Sequence, residues 1–83
     1  MSQQTPLTLV IAKVNEQLFN GAAQSVTVPG SEGQMTLLSH HEPIVSLLKK
    51  GTIVVRTEGG EKKFDIVQGV LEVSNNQVTI LVS

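Results

Sequence analysis

The sequence predicts an all-β domain, a small β-sandwich or flattened β-barrel, and three observations predict it. Apolar and polar residues alternate through much of the chain, the period of a strand with one buried face. Turn residues recur at short intervals, at Asn20-Gly21, Pro29-Gly30, Gly33, Lys50-Gly51, Gly59-Gly60 and Asn75-Asn76. No window of about ten residues or longer carries a helical repeat. Short strands at regular spacing, with turn chemistry between them, build sandwiches and barrels.

Leu7 to Val14 is apolar and β-prone, with Leu7, Leu9 and Ile11 on one side. Leu18-Phe19 followed by Asn20-Gly21 reads as a short apolar pair closed by a turn. Ala22 to Val28 then extends again, with Val26 and Val28 facing one way. Pro29 to Gly33 is a turn loop built on its proline and glycines, Gly33 to Leu38 is the next extended piece, and a polar corner follows that closes at Pro43. Ile44 to Leu48 is too short for its period to choose between a strand and one helical turn.

Hairpin signals dominate the carboxyl half. Thr52 to Glu58 and Glu61 to Gln68 flank Gly59-Gly60, a two-residue connection of the hairpin type. Val70 to Ser74 and Gln77 to Val82 flank Asn75-Asn76, and asparagine tolerates the left-handed backbone that such a turn needs. The first hairpin is expected to pair Ile53 with Ile66 and Val55 with Phe64. The second is expected to pair Leu71 with Ile80 and Val73 with Val78. All eight side chains are apolar on one parity, which fixes register. The same pairing sets Arg56 against Lys63 and Glu58 against Glu61, with the diagonals Arg56–Glu61 and Glu58–Lys63 relieving the like charges. On the outward parity lie Val54, Val67, Val70 and Leu81, an apolar set that marks a partner surface or a further layer of core.

The 83 residues amount to a single domain, 1–83, that buries only about 60–65% of its unfolded surface. Domains of this size gain stability from disulfides, metals or partners. With no cysteine and two adjacent histidines, a partner subunit is the remaining common route. Six basic and seven acidic residues lack the basic stripe of a nucleic-acid binder, and two phenylalanines as the only aromatics make no stacking platform. No apolar run reaches the roughly 18–20 residues that span a bilayer. Met1 to Pro6 has neither the charged nor the apolar part of a signal peptide. The expectation is a soluble, intracellular chain.

Chemistry is looked for at four places. His40 and His41 are neighbours, so on an extended backbone they point to opposite faces, and a metal site wants three or four ligands; a surface or interface role fits His41 better. Asp65, the sole aspartate, would have to be recruited from an exposed strand for any Ser-His-Asp arrangement. Pro29-Gly-Ser-Glu-Gly33 lacks the Gly-Lys-Ser/Thr end of a phosphate loop and opens no helix. Lys49-Lys50 before Gly51 raises the alternative of a biotinyl or lipoyl carrier, or a small ligand-binding β-barrel, but lacks the methionine or aspartate neighbours of a modified lysine. The residues therefore predict a binding surface, with no catalytic residue, no cofactor and no metal.

Six motifs in order, Phe19-Asn-Gly21, Val26-Thr-Val-Pro-Gly-Ser-Glu-Gly33, His41-Glu-Pro43, Gly51 after the lysine pair, Gln68-Gly-Val-Leu-Glu-Val73 and Val78-Thr-Ile-Leu81, resemble the amino-terminal β-sandwich domain of the epsilon subunit of F-type ATP synthases. The resemblance runs from about Leu7 to Val82. It implies a ten-stranded sandwich at the foot of the central stalk, a non-catalytic rotor part that joins the gamma subunit to the c-ring. Ion-driven rotation is thereby coupled to ATP synthesis. It further implies a c-ring interface at Ser31, Glu32, Gly33 and Gln34, and a gamma-subunit interface at His41, Pro43 and Ser46. Its location would be peripheral, on the cytoplasmic face of an energy-transducing (bacterial inner) membrane and held there only through the complex. Gln34 stands where the family often has a carboxylate, His40 and Glu42 replace small residues, and Lys50 replaces a proline. The usual member continues into an inhibitory helical hairpin that has no counterpart before Ser83, so the expectation is a short form without it.

Overall fold

The computed structural model describes residues 5–83, and among them nine strands and no helix. These are β1 (Leu7–Lys13), β2 (Glu16–Ala23), β3 (Ser25–Gly30), β4 (Gly33–Leu38), β5 (Ile44–Leu48), β6 (Gly51–Thr57), β7 (Gly60–Ile66), β8 (Gly69–Ser74) and β9 (Gln77–Val82). The all-β class is as the sequence predicts, with nine strands in place of ten. Ile44 to Leu48 is a strand because β8 pairs along its whole length, from Ile44↔Val73 to Leu48↔Gly69.

One continuous sheet path, β2-β1-β9-β8-β5-β3-β6-β7 with β4 on β3, doubles over into two layers. The larger half is β2-β1-β9-β8-β5 and the smaller is β4-β3-β6-β7. They meet at a narrow seam, where β5 and β3 share one register pair, Gly30↔Leu48. Two backbone bonds reinforce it: the Ser31 N–H donates to the Leu47 carbonyl (2.9 Å) and the Lys49 N–H to the Pro29 carbonyl (2.9 Å). Pro29 suits this handover, because β3 leaves β6 and reaches β5 there, and a residue without an N–H breaks no ladder bond. The first residue of β6 must be small, since a Cβ on Gly51 would lie 2.7 Å from that of Pro29. The ends of the path, β2 and β7, come together through Phe19 and Phe64, edge to face with centroids 6.4 Å apart.

The core is what alternation demands. Leu7, Leu9, Ile11, Val26, Val28, Leu37, Ile53, Val55, Leu71, Val73, Val78 and Ile80 are buried in one cluster drawn from both halves. Leu18 and Phe19 both pack against it although they are consecutive. A register shift makes that possible: Ile11 pairs with Phe19 and Ala12 with Gln17, leaving Leu18 as the extra residue of a bulge.

Two local expectations give way. Asn20-Gly21 is not a turn; both residues sit inside β2 opposite Val10 and Leu9, and the chain reverses earlier, at Val14-Asn15. The β6–β7 turn is Glu58-Gly59 rather than Gly59-Gly60, so register moves by two residues. Ile53 faces Phe64, Val55 faces Lys62, and Gly51 faces Ile66. A shift of two preserves parity, so Ile53, Val55 and Ile66 remain buried and Phe64 half-buried. It also abolishes the opposed like charges: Arg56 now faces Glu61 at 3.5 Å, with Lys63 on the same carboxylate at 3.9 Å. The reason is that only Gly60, at φ +130°, has a backbone that demands glycine, and it follows the corner instead of forming it. The β8–β9 hairpin has the expected register, Leu71↔Ile80 and Val73↔Val78, with Asn75 and Asn76 at φ 52° and 60°.

Candidate partner-binding surface

The β3–β4 turn repeats the geometry of β6–β7. Ser31 and Glu32 are the two corner residues, and Gly33 follows at φ +136°. Gly30 and Pro29 belong to the strand, so the exposed tip consists of Ser31, Glu32, Gly33 and Gln34. It is tied to β5 through the Ser31–Leu47 bond. His41 and Pro43 stand at the opposite end of β5, in the irregular corner between β4 and β5. Five residues of strand, about 17 Å at the usual rise, separate that corner from the turn. The turn residues and the pair His41 and Pro43 thus lie at opposite ends of β5, with Ser46 in the middle of that strand.

At the corner His41 is half-buried, and its Nδ1 lies 2.8 Å from the Glu42 carbonyl. A carbonyl only accepts, so Nδ1 carries the proton and Nε2 is left for another partner. Pro43 is exposed. Ser46 shares the parity of Ile44 and Leu48 and is half-buried, its hydroxyl donating to the Leu47 carbonyl over 3.4 Å. It faces the inside of the sandwich edge.

Between the two ends lies a surface that the sequence only half disclosed. The outward residues of β5 are Val45 and Leu47, 71% and 63% exposed. Leu47 pairs with Val70, Val70 with Leu81 and Leu81 with Ala12. That is an apolar row across β5, β8, β9 and β1. Val45 begins a second row that passes through Glu72 and Thr79 to Val10. Of the outward apolar set expected from sequence, Val70 and Leu81 are here, whereas Val54 is half-buried on the smaller half. Val45 and Leu47 escaped notice because the nature of β5 was open.

Among the described residues no polar or charged side chain is buried, and no group of three or more His, Cys, Asp or Glu stands together as metal ligands would. Asp65 accepts a hydrogen bond from Thr52 Oγ1 at 2.8 Å, while the ring of His41 is engaged at its own corner. A groove of about 960 Å³ at one end of the sandwich, near Thr5, Ala22, Ser25, Leu38 and Thr57, has Glu58 as its one ionisable lining residue among the described residues. Lys49-Lys50 carries the chain from the larger half to the smaller; it is not the hairpin tip that a carrier lysine occupies. Among the described residues no helix is long and apolar enough to cross a membrane.

The described residues form a two-layered β-sandwich with an apolar outer row and exposed turns. Residues 6–83 match the family model of the ATP synthase delta/epsilon chain β-sandwich domain, and the chain belongs to that family. It is 37% identical over 76 residues to the ATP synthase epsilon chain of Bordetella petrii, covering 90% of this chain and 54% of that protein. To the epsilon chain of Bordetella avium it is 35% identical over 72 residues, covering 86% and 51%. The chain therefore spans about half the length of these curated relatives. Its fold superposes with a TM-score of 0.88 on a chain of the Euglena gracilis mitochondrial ATP synthase, resolved with F1 and c-ring. The match is 25% identical and covers 99% of this chain and 53% of that one. A chain of the Tetrahymena thermophila central stalk and c-ring gives 0.80 at 14% identity, covering 98% and 66%, a likeness of fold.

Proposed function

We propose that this domain is a non-catalytic part of the central stalk of an F-type ATP synthase, joining the gamma subunit to the c-ring so that ion-driven rotation is coupled to ATP synthesis. The observation that carries the reading is the family match across the whole sandwich, from residue 6 to residue 83. The geometry supports it. A stalk connector needs contacts at separate places on a stiff body, and β5 holds one candidate contact at each end.

In this reading the gamma subunit covers the outward face of β5, β8 and β9 together with the His41 and Pro43 corner. The apolar row supplies burial there, and His41 Nε2 supplies a polar contact at the rim. Ser46, half-buried on the same strand, completes the gamma-facing set. The c-ring meets the Ser31, Glu32, Gly33 and Gln34 turn, where exposed backbone groups and one carboxylate suit a polar loop. Membrane attachment is peripheral, through the complex, on its cytoplasmic face.

Because the chain has no cysteine, single thiols introduced by Glu32→Cys and His41→Cys are unique reporters. The tagged chain is expected to co-purify with gamma and the c-ring, cross-linking to the ring from position 32 and to gamma from position 41. A folded chain that reaches neither partner from either position would refute the assignment.

A further inference from the structure

His40 has a left-handed backbone, φ 63°, which is uncommon for a residue with a full side chain and persists where surroundings hold it. The holding group comes from a distant part of the chain. The His40 N–H donates to Asn76 Oδ1 at 2.7 Å, across 36 residues of sequence. Asn76 Nδ2 donates to the Pro6 carbonyl at 3.1 Å, and the Asn76 carbonyl accepts from the Thr8 N–H at 3.1 Å. One turn residue therefore ties together the entry to β1, the corner between β4 and β5, and the β8–β9 hairpin. The amide orientation is fixed by its partners, because a flipped Asn76 would set donor against donor at His40 and acceptor against acceptor at Pro6. Asn75 has the same backbone conformation but makes no side-chain hydrogen bond among the described residues.

We infer that Asn76 is the positioning residue of the His40–Pro43 corner: its side chain sets the geometry in which His41 and Pro43 are offered to the partner. This rests on the reading above that the corner meets gamma, and extends it to a residue outside the interface. Asn76 needs no contact with the partner to control its binding.

Three variants of the 83-residue chain test it. Asn76→Gly keeps the left-handed turn and removes the amide. Asn76→Asp keeps the acceptor for His40 and removes the donor to Pro6. Asn75→Gly is the control for the turn itself. Hydrogen exchange of the His40 amide by NMR reads the tie, and titration with the gamma subunit reads its consequence. Asn76→Gly is expected to speed His40 exchange about tenfold, the value of one hydrogen bond, and to weaken gamma binding by a similar factor. Core amides such as that of Leu71 should be unaffected. Asn76→Asp should retain His40 protection and most of the affinity, and Asn75→Gly should change neither. Unchanged His40 exchange in Asn76→Gly, or faster exchange with full affinity, overturns the inference. Failure of the unmutated chain to bind gamma is a separate result that removes the functional reading and the positioning role with it, while the exchange data still decide whether the tie exists.

Discussion

The two outer faces of the sandwich are built on the same period and differ in how much apolar surface they expose. On the larger half, Val45, Leu47, Val70 and Leu81 project outward and are exposed. On the smaller half the outward positions include the apolar Leu38 and half-buried Val54, but most are polar: Thr27 and Thr36, whose hydroxyls share a 3.0 Å hydrogen bond, and Thr52, Arg56, Glu61, Lys63 and Asp65. Both faces cover one core, so folding does not require them to differ. The smaller half has the wet face that an antiparallel sheet normally presents. The larger half spends its outward positions on side chains that gain nothing from water, which a partner surface explains.

The comparison can be broken at its foundation, the distinction between inward and outward parity. Leu71→Ala or Ile80→Ala is expected to cost about 2–5 kcal/mol in denaturant unfolding, because both are fully buried. Leu81→Ala, one position outward, should cost less than about 1 kcal/mol. Similar losses at positions 80 and 81 would mean that the outer face is not free.

A second test sharpens the contrast between faces. Replacing both Leu47 and Leu81 with lysine should leave the isolated domain folded, within about 1 kcal/mol of the parent. Its affinity for gamma should fall by about a hundredfold, as when the centre of an interface is disrupted. The same change at Thr27 and Thr36 should leave affinity within about twofold.

The smallest effect belongs to the wet face. Arg56 and Glu61 form an exposed ion pair, so Arg56→Ala should change stability by no more than about 0.5 kcal/mol and be still less visible at high salt.

Sequence made the inward set legible, since the alternation along each strand survives a register error of two residues. The first hairpin lies two residues from the register that Gly59-Gly60 suggests and loses nothing from its core, because only Gly60 of the two has the glycine backbone. The Asn75-Asn76 hairpin was readable throughout, as both residues suit the turn they make. Asn20-Gly21 misled for the opposite reason: tertiary pairing with β1 overrode a local turn signal, and the real reversal at Val14-Asn15 hides a 95% exposed valine that looked like strand. The turn at Ser31 to Gln34 and the corner at His41 to Pro43 were locatable from their prolines and glycines. The tie from Asn76 to His40 was not, since no local pattern announces a bond between side chain and backbone across the fold. Nor was the full apolar row, which depends on β5 lying beside β8.

The most direct test uses the cysteine-free background to compare the faces in one complex. Leu81→Cys and Thr27→Cys each place a single thiol, one on each outer face, and maleimide labelling is timed with the chain alone and with gamma bound. The account predicts that binding slows labelling at position 81 by more than about tenfold, as expected for the dry centre of an interface, and leaves position 27 reactive. Protection at 27 with free labelling at 81 would contradict it.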